Sequence, residues 1–167
     1  MTMEICLARV DSRLLHGQIA TVWARSVKPN RILIVSDAVA HDTLRRTLIV
    51  QAAPPGVRAN VITLAKMIQI YHDPRFDVFK TLLLTETVED MARLVKGGID
   101  LTQVGVDVGS LAFFGNMKMI TDSVAVGPQQ AAAIRYLHDD AGLEVYAQKV
   151  PTDRKQNLND LLGKNGF

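Results

Sequence analysis

The chain of 167 residues contains a single cysteine, Cys6. One cysteine closes no intramolecular disulfide and builds no zinc site by itself, which excludes the devices that hold small secreted domains together. No run of about 18 apolar residues occurs, and Met1-Thr2-Met3-Glu4 lacks the basic and apolar regions of a signal peptide. A cytoplasmic chain that neither enters a secretory route nor spans a membrane is therefore expected. Charge of one sign is also scarce, since 19 Lys and Arg against 17 Asp and Glu leave only +2. Even with a pI of 8.8, this is not the dense cationic stripe of a nucleic-acid binder, and no nucleic-acid partner is expected. There is no internal repeat, no linker-like stretch and no Walker A or dinucleotide fingerprint at a strand-to-helix junction, so no nucleotide cofactor is implied.

What is present is a globular composition, 48% hydrophobic and 22% charged, enough to bury the core of one domain over residues 1–167. Short β-branched runs alternate with longer amphipathic ones. Strands are expected at Glu4–Val10, Arg31–Ser36, Arg58–Thr63, Lys80–Thr85, Leu101–Val106, Ser123–Val126 and Leu143–Val150. Helices are expected at Gly17–Val27 with Ile19, Val22, Trp23 and Val27 on the apolar face, at His41–Ala53 before Pro54-Pro55, and at Leu64–His72 after Thr63. Three more follow: one from Thr87 to Gly97-Gly98, one from Gly127-Pro128 to near Gly142, and one over Asp153–Leu162. Strand and helix alternating in this way argue for an α/β fold, an open and mostly parallel sheet with helices on both faces.

Ligands of such sheets sit beyond the carboxyl ends of the strands. The first strand-to-helix loop is chemically the richest: Arg9-Val10-Asp11-Ser12-Arg13-Leu14-Leu15-His16-Gly17-Gln18. Each residue has a use if the ligand is a phosphoryl group. The free N–H groups of a helix starting near Gly17 form an anion site. Arg9 and Arg13 offer fork-shaped donors, and Ser12 a hydroxyl donor. His16 is a nucleophile near neutral pH, and Asp11 can fix which ring nitrogen attacks. Phosphoryl transfer through a phosphohistidine follows, with no metal required. The same residue types also fit plainer readings. His16 then caps or lies on the surface, the arginines pair with Asp11 or face solvent, Ser12 turns the chain, and Asp11 caps the helix.

The run from Arg9 to Trp23 resembles the signature of the IIB components of the bacterial phosphoenolpyruvate-dependent sugar phosphotransferase system, mannose/fructose/sorbose branch. The likeness extends to Ile34–Ala40, Gln51–Val57 and Val95–Gly98, and covers essentially the whole chain. It implies an open, mostly parallel α/β sheet and a cytoplasmic phosphocarrier enzyme. His16 would take a phosphoryl group from a phosphohistidine on a IIA component and pass it to a sugar held by membrane components IIC and IID. By the same resemblance Arg9, Asp11 and Arg13 surround the phosphorylated histidine. Two positions depart from the family pattern. Ser12 stands where a second aspartate is common. In Asp107-Val108-Gly109-Ser110, resembling a loop usually written Asn-Val-Gly-Gly, Asp107 replaces the asparagine and Ser110 a glycine. A carboxylate beside a phosphate is repulsive, and a side chain at Ser110 limits close backbone approach. A phosphate-ester binding or sensory module of the same fold is the alternative.

Outside the loop, His41, His72 and His138 share no metal-ligand spacing, and no metal site is expected. Asp37 ends the second strand as a capping or turn residue or as a neighbour of the loop. Trp23 belongs to the core face of the first helix, and Cys6 to a buried, unreactive strand position. The small net charge is unevenly placed: residues 1–80 hold 11 Lys and Arg against 6 Asp and Glu. With Arg9, Arg13, Arg25, Lys28 and Arg31 among them, a docking face for an acidic or phosphorylated partner is expected near His16.

Overall fold

The computed structural model describes residues 2–17 and 19–167. Among these, seven strands form one sheet in the order β3-β2-β4-β1-β5-β8-β9. They are β1 (Glu4–Asp11), β2 (Arg31–Val35), β3 (Arg58–Ile62), β4 (Lys80–Thr85), β5 (Val106–Ser110), β8 (Val145–Ala147) and β9 (Gln156–Asn157). All pairings are parallel except β8 with β9. β6 (Lys118–Met119) and β7 (Ala125–Val126) make a separate antiparallel pair.

Two apolar layers cover the sheet. On one face Leu7, Ile32, Ile34, Leu82 and Leu84 pack against Ile19 and Trp23 of the first helical segment and Val39 of α2 (Asp37–Ala40). On the other, Val10, Leu33 and Leu83 meet Met67 of α4 (Leu64–Tyr71), Met91 and Leu94 of α5 (Val88–Lys96), Ile134 of α6 (Pro128–Arg135) and Leu162 of α7 (Leu158–Lys164). Each fully buried aliphatic side chain contributes roughly 1.5–3 kcal/mol. The α/β architecture with helices on both faces is thus as expected.

Several boundaries differ, each for a local reason. The first helical segment winds as a π-helix over Ile19–Trp23 before α1 (Ala24–Val27). This widening turns Val22 outward, 37% exposed, and brings Ala20 and Ala24 inward instead. Of the helix expected at His41–Ala53 only Thr43–Val50 forms, as α3, started where Asp42 accepts from the Arg45 N–H, and α2 ahead of it was not expected. The strand expected over Leu101–Val106 instead begins at Val106, because Gly105 has φ +68° and turns the chain there. Of the expected Ser123–Val126 strand, Ala125–Val126 pairs with β6 outside the main sheet, and Val124 makes a single parallel bridge to Leu111. The final helix starts at Leu158, where Asn157 accepts from the Asp160 N–H, and not at Asp153.

The chain leaves β1 for β2 on one side and β5 for β8 on the other, so the winding reverses between β1 and β5. Beyond their carboxyl ends lies the crevice where open α/β sheets bind ligands. Arg31 begins β2 beside Arg58 and Thr81, and Lys28 ends α1. These cations, with Arg25, therefore lie toward the amino ends of the strands, so Arg25, Lys28 and Arg31 do not gather with Arg9 and Arg13 near His16.

Candidate functional site

Side chains alternate along a strand, so Leu7, Arg9 and Asp11 share one face of β1. Leu7 joins the apolar layer there, and the two charged residues follow it toward the carboxyl end. Asp11 is fully buried, and both of its oxygens are used. Oδ1 accepts the Arg13 N–H at 2.9 Å, closing a turn in which the Leu14 N–H also reaches the Asp11 carbonyl at 2.9 Å. Oδ2 faces His16 Nε2 at 3.1 Å and Arg9 Nη2 at 3.5 Å. Burial alone would raise the Asp11 carboxyl. The His16 hydrogen bond, the Arg13 N–H and the Arg9 charge together outweigh it and hold the group below the usual carboxylate range.

The loop is shaped by a feature that sequence spacing did not reveal. Leu14 has φ +58°, a left-handed conformation that costs an L-residue roughly 1–2 kcal/mol. Leu14 and Leu15 are both buried in the first apolar layer, which offsets that cost and pins the turn. The chain then presents His16, 20% exposed, immediately before the helix, where its carbonyl accepts the Ala20 N–H at 2.9 Å. Gly17 is exposed, with open space on the side where a Cβ would stand. Gln18 lies outside the described residues.

An ionised Asp11 accepts and never donates, so the Asp11–His16 bond is made by the Nε2–H tautomer of the ring. In the neutral ring Nδ1 then carries the lone pair, and among the described residues it makes no hydrogen bond. The ring is thus held by a buried carboxylate at one nitrogen and open at the other.

The remaining candidates divide. Arg13 is 57% exposed, with Nε 3.5 Å from Asp11 Oδ1, and stands at the rim. Ser12 lies beside Ser110, their hydroxyls 3.2 Å apart, and the Ser12 N–H donates to the Ser110 carbonyl at 3.1 Å. The side chain at position 110 therefore ties the two loops together. Arg9 does not reach the surface: 1% exposed, it lies over the Trp23 ring and donates through Nη1 to Asp107 Oδ2 at 2.5 Å and to the Gln148 carbonyl at 2.7 Å. Asp107 is equally buried and so does not confront the loop as a free carboxylate. Asp37 bonds the Leu64 N–H at the start of α4 and takes no part in the site. His41 ends α2, His72 reaches the Gly97 carbonyl and His138 pairs with Asp139, in three separate places. Cys6 donates to the Thr81 carbonyl, and burial pushes its thiol up to about 11, so it carries no reactive thiolate at neutral pH.

Sequence reading also missed a groove that reaches Ser12 from the loop after β5. It is lined by Glu86, Glu89, Leu111, Phe114 and Met117, with Phe113 and Phe114 both largely exposed. Two adjacent exposed phenylalanines were the signal available for it.

A mostly parallel α/β sheet thus presents a carboxylate-held histidine at its winding reversal, the class of domain that the comparisons with known proteins also give. Over residues 5–167 the chain matches the family described as the PTS system sorbose subfamily IIB component. It is 42% identical over 162 residues to the mannose-specific EIIAB component of Escherichia coli K12, covering 97% of this chain and 49% of that one, so it spans about half of that relative's length. Identity to the sorbose-specific EIIB component of Klebsiella pneumoniae is 35%, over 99% of both chains. The crystal structure of the IIBSor domain of the sorbose permease from the same organism superposes with a TM-score of 0.93 at 34% identity, again over 99% of both. The chain belongs to the sorbose subfamily of PTS IIB components.

Proposed function

We propose that His16 accepts a phosphoryl group on Nδ1 from a phosphohistidine of a IIA protein and passes it to a sugar held by membrane IIC and IID components. The observation that carries this reading is the hydrogen bond between Asp11 and His16 Nε2, which leaves Nδ1 as the free nucleophile. In the first step the N–P bond of the donor breaks as the bond to His16 Nδ1 forms. Positive charge that develops on the ring is met by the buried Asp11 carboxylate, already ionised and already in place. Arg13 and the open backbone at Gly17 receive the phosphoryl oxygens, with Ser12 as a further donor. In the second step the His16 N–P bond breaks as an O–P bond forms to a sugar hydroxyl, whose proton passes to water, and the ring returns to its neutral Nε2–H form. The chain needs no cofactor for either step, since positioning and charge supply the catalysis.

Two partners must reach the same histidine in turn. The E. coli relative bears the name EIIAB, which supports a IIA donor. No helix among the described residues is long and apolar enough to cross a membrane. Exposed Phe113 and Phe114 next to the site give such partners apolar contact area. Incubation with phosphoenolpyruvate, the general phosphotransferase proteins and a cognate IIA is expected to place an acid-labile label on the wild-type chain and none on His16→Ala. Equal labelling of the two overturns the assignment. Binding of sugar phosphate without any labelling favours the sensory alternative.

A further inference from the structure

The site holds more buried negative charge than positive. Arg9 and Asp107 are direct neighbours in the parallel register of β1 and β5, which fixes their pairing in the sheet itself. Asp107 Oδ2 takes Arg9 Nη1 at 2.5 Å, while its Oδ1 accepts the Gln148 N–H at 3.0 Å. Arg9 stands farther from Asp11, with Nη2 at 3.5 Å. Two carboxylates thus share one guanidinium beneath His16, and all three groups are removed from water. The second of them lies where charge is expensive unless paired.

We propose that Asp107 withholds the Arg9 charge from the phosphoryl group, so that His16 holds a phosphoryl less firmly and releases it more readily than with an uncharged residue at position 107. This deepens the phosphocarrier reading and rests on it. With Asp107 ionised, the trio of Arg9, Asp11 and Asp107 carries a net charge of −1 beneath an incoming phosphoryl dianion. Without that carboxylate the trio is neutral, and the dianion sits in a more favourable field. Exchange with the donor breaks one N–P bond and forms another with no net movement of a proton, so its equilibrium reports this difference in field directly. Asp107 touches no reacting atom and acts through Arg9 as a positioning residue.

The test compares wild type, Asp107→Asn and Asp107→Glu. At equilibrium with phosphorylated IIA, Asp107→Asn is expected to hold about fivefold more phosphoryl on His16 relative to the donor than wild type does, as befits loss of one charge nearby at an intermediate dielectric. Inorganic phosphate, titrated by NMR against the unphosphorylated chains, is expected to bind Asp107→Asn about fivefold more tightly, with Asp107→Glu close to wild type in both assays. A purely structural role moves neither quantity upward. An exchange equilibrium and a phosphate affinity that both stay within twofold of wild type, in a variant that unfolds cooperatively, overturn the proposal. If the asparagine chain does not fold, Asp107→Ser removes the same charge and carries the same readouts. A wild-type chain that never takes label sinks the phosphocarrier reading instead, and the phosphate titration then judges the charge assignment by itself.

Discussion

At the residue scale, the site is Asp11 and what its two oxygens hold. Asp11→Asn keeps an oxygen for the Arg13 N–H and so preserves the turn, but removes the charge that in the proposed transfer meets the developing imidazolium. We expect the initial rate of His16 labelling, followed by rapid quench, to fall on the order of 100-fold while the fold persists. Arg13→Ala is expected to slow labelling about tenfold with little change in stability, since this exposed ion pair contributes little to folding, and Arg13→Lys to recover part of the rate. Asp11, Arg13 and His16 were legible in the sequence because five charged or polar side chains crowd one short loop. Arg9 was not. Its direction is set by strand parity with Leu7 and by a carboxylate 98 positions away on β5, and neither fact is local.

At the scale of elements, strand β5 carries the part of the site that sequence spacing misplaced. Residues 101–106 read as a strand on apolar content, yet the true strand is Val106–Ser110, half polar, because its side chains face Arg9 and Ser12. Gly109 belongs to this arrangement, since a Cβ there would overlap the Arg9 guanidinium. Gly109→Ala is expected to displace Arg9 from both carboxylates, lowering stability in urea unfolding by about 2–4 kcal/mol and His16 labelling with it. Helix starts were better legible. Thr63 and Thr87 accept the N–H groups of Lys66 and Asp90 where the sequence placed those caps, because a cap is a contact three residues long. The π-helical turn over Ile19–Trp23 was not legible, because it is imposed by packing Trp23 under Arg9 with its Nε1–H on the Lys149 carbonyl.

Over the whole molecule, the buried carboxylates bend the dependence of stability on pH in opposite directions. Burial pushes Asp107, which faces Arg9 and Asp11 of β1 and Tyr146 of β8, up to about 6, against an attraction to Arg9 that lowers it. The folded chain thus binds the proton more tightly than the unfolded chain, and stability falls as pH rises from about 4 to about 6. Asp11 is shifted downward, so its contribution is present above the unfolded carboxylate pKa and is lost as pH falls through its folded value. Urea unfolding at pH 4.5 and pH 7 is expected to show a drop on the order of 1–3 kcal/mol from the Asp107 carboxyl in wild type, absent from Asp107→Asn. The sequence by itself determined the α/β class, the helix caps, the reactive loop and the family, since each rests on residues close in the chain or on patterns that survive without coordinates. Only the tertiary structure decided where the charges act. Of the cations singled out in the first half, Arg9 is buried, Arg13 is exposed at the rim, and Arg25, Lys28 and Arg31 lie toward the amino ends of the strands. The carboxylate that neutralises Arg9 arrives from a distant strand through sheet register, and register is fixed by the packing of both faces of the sheet.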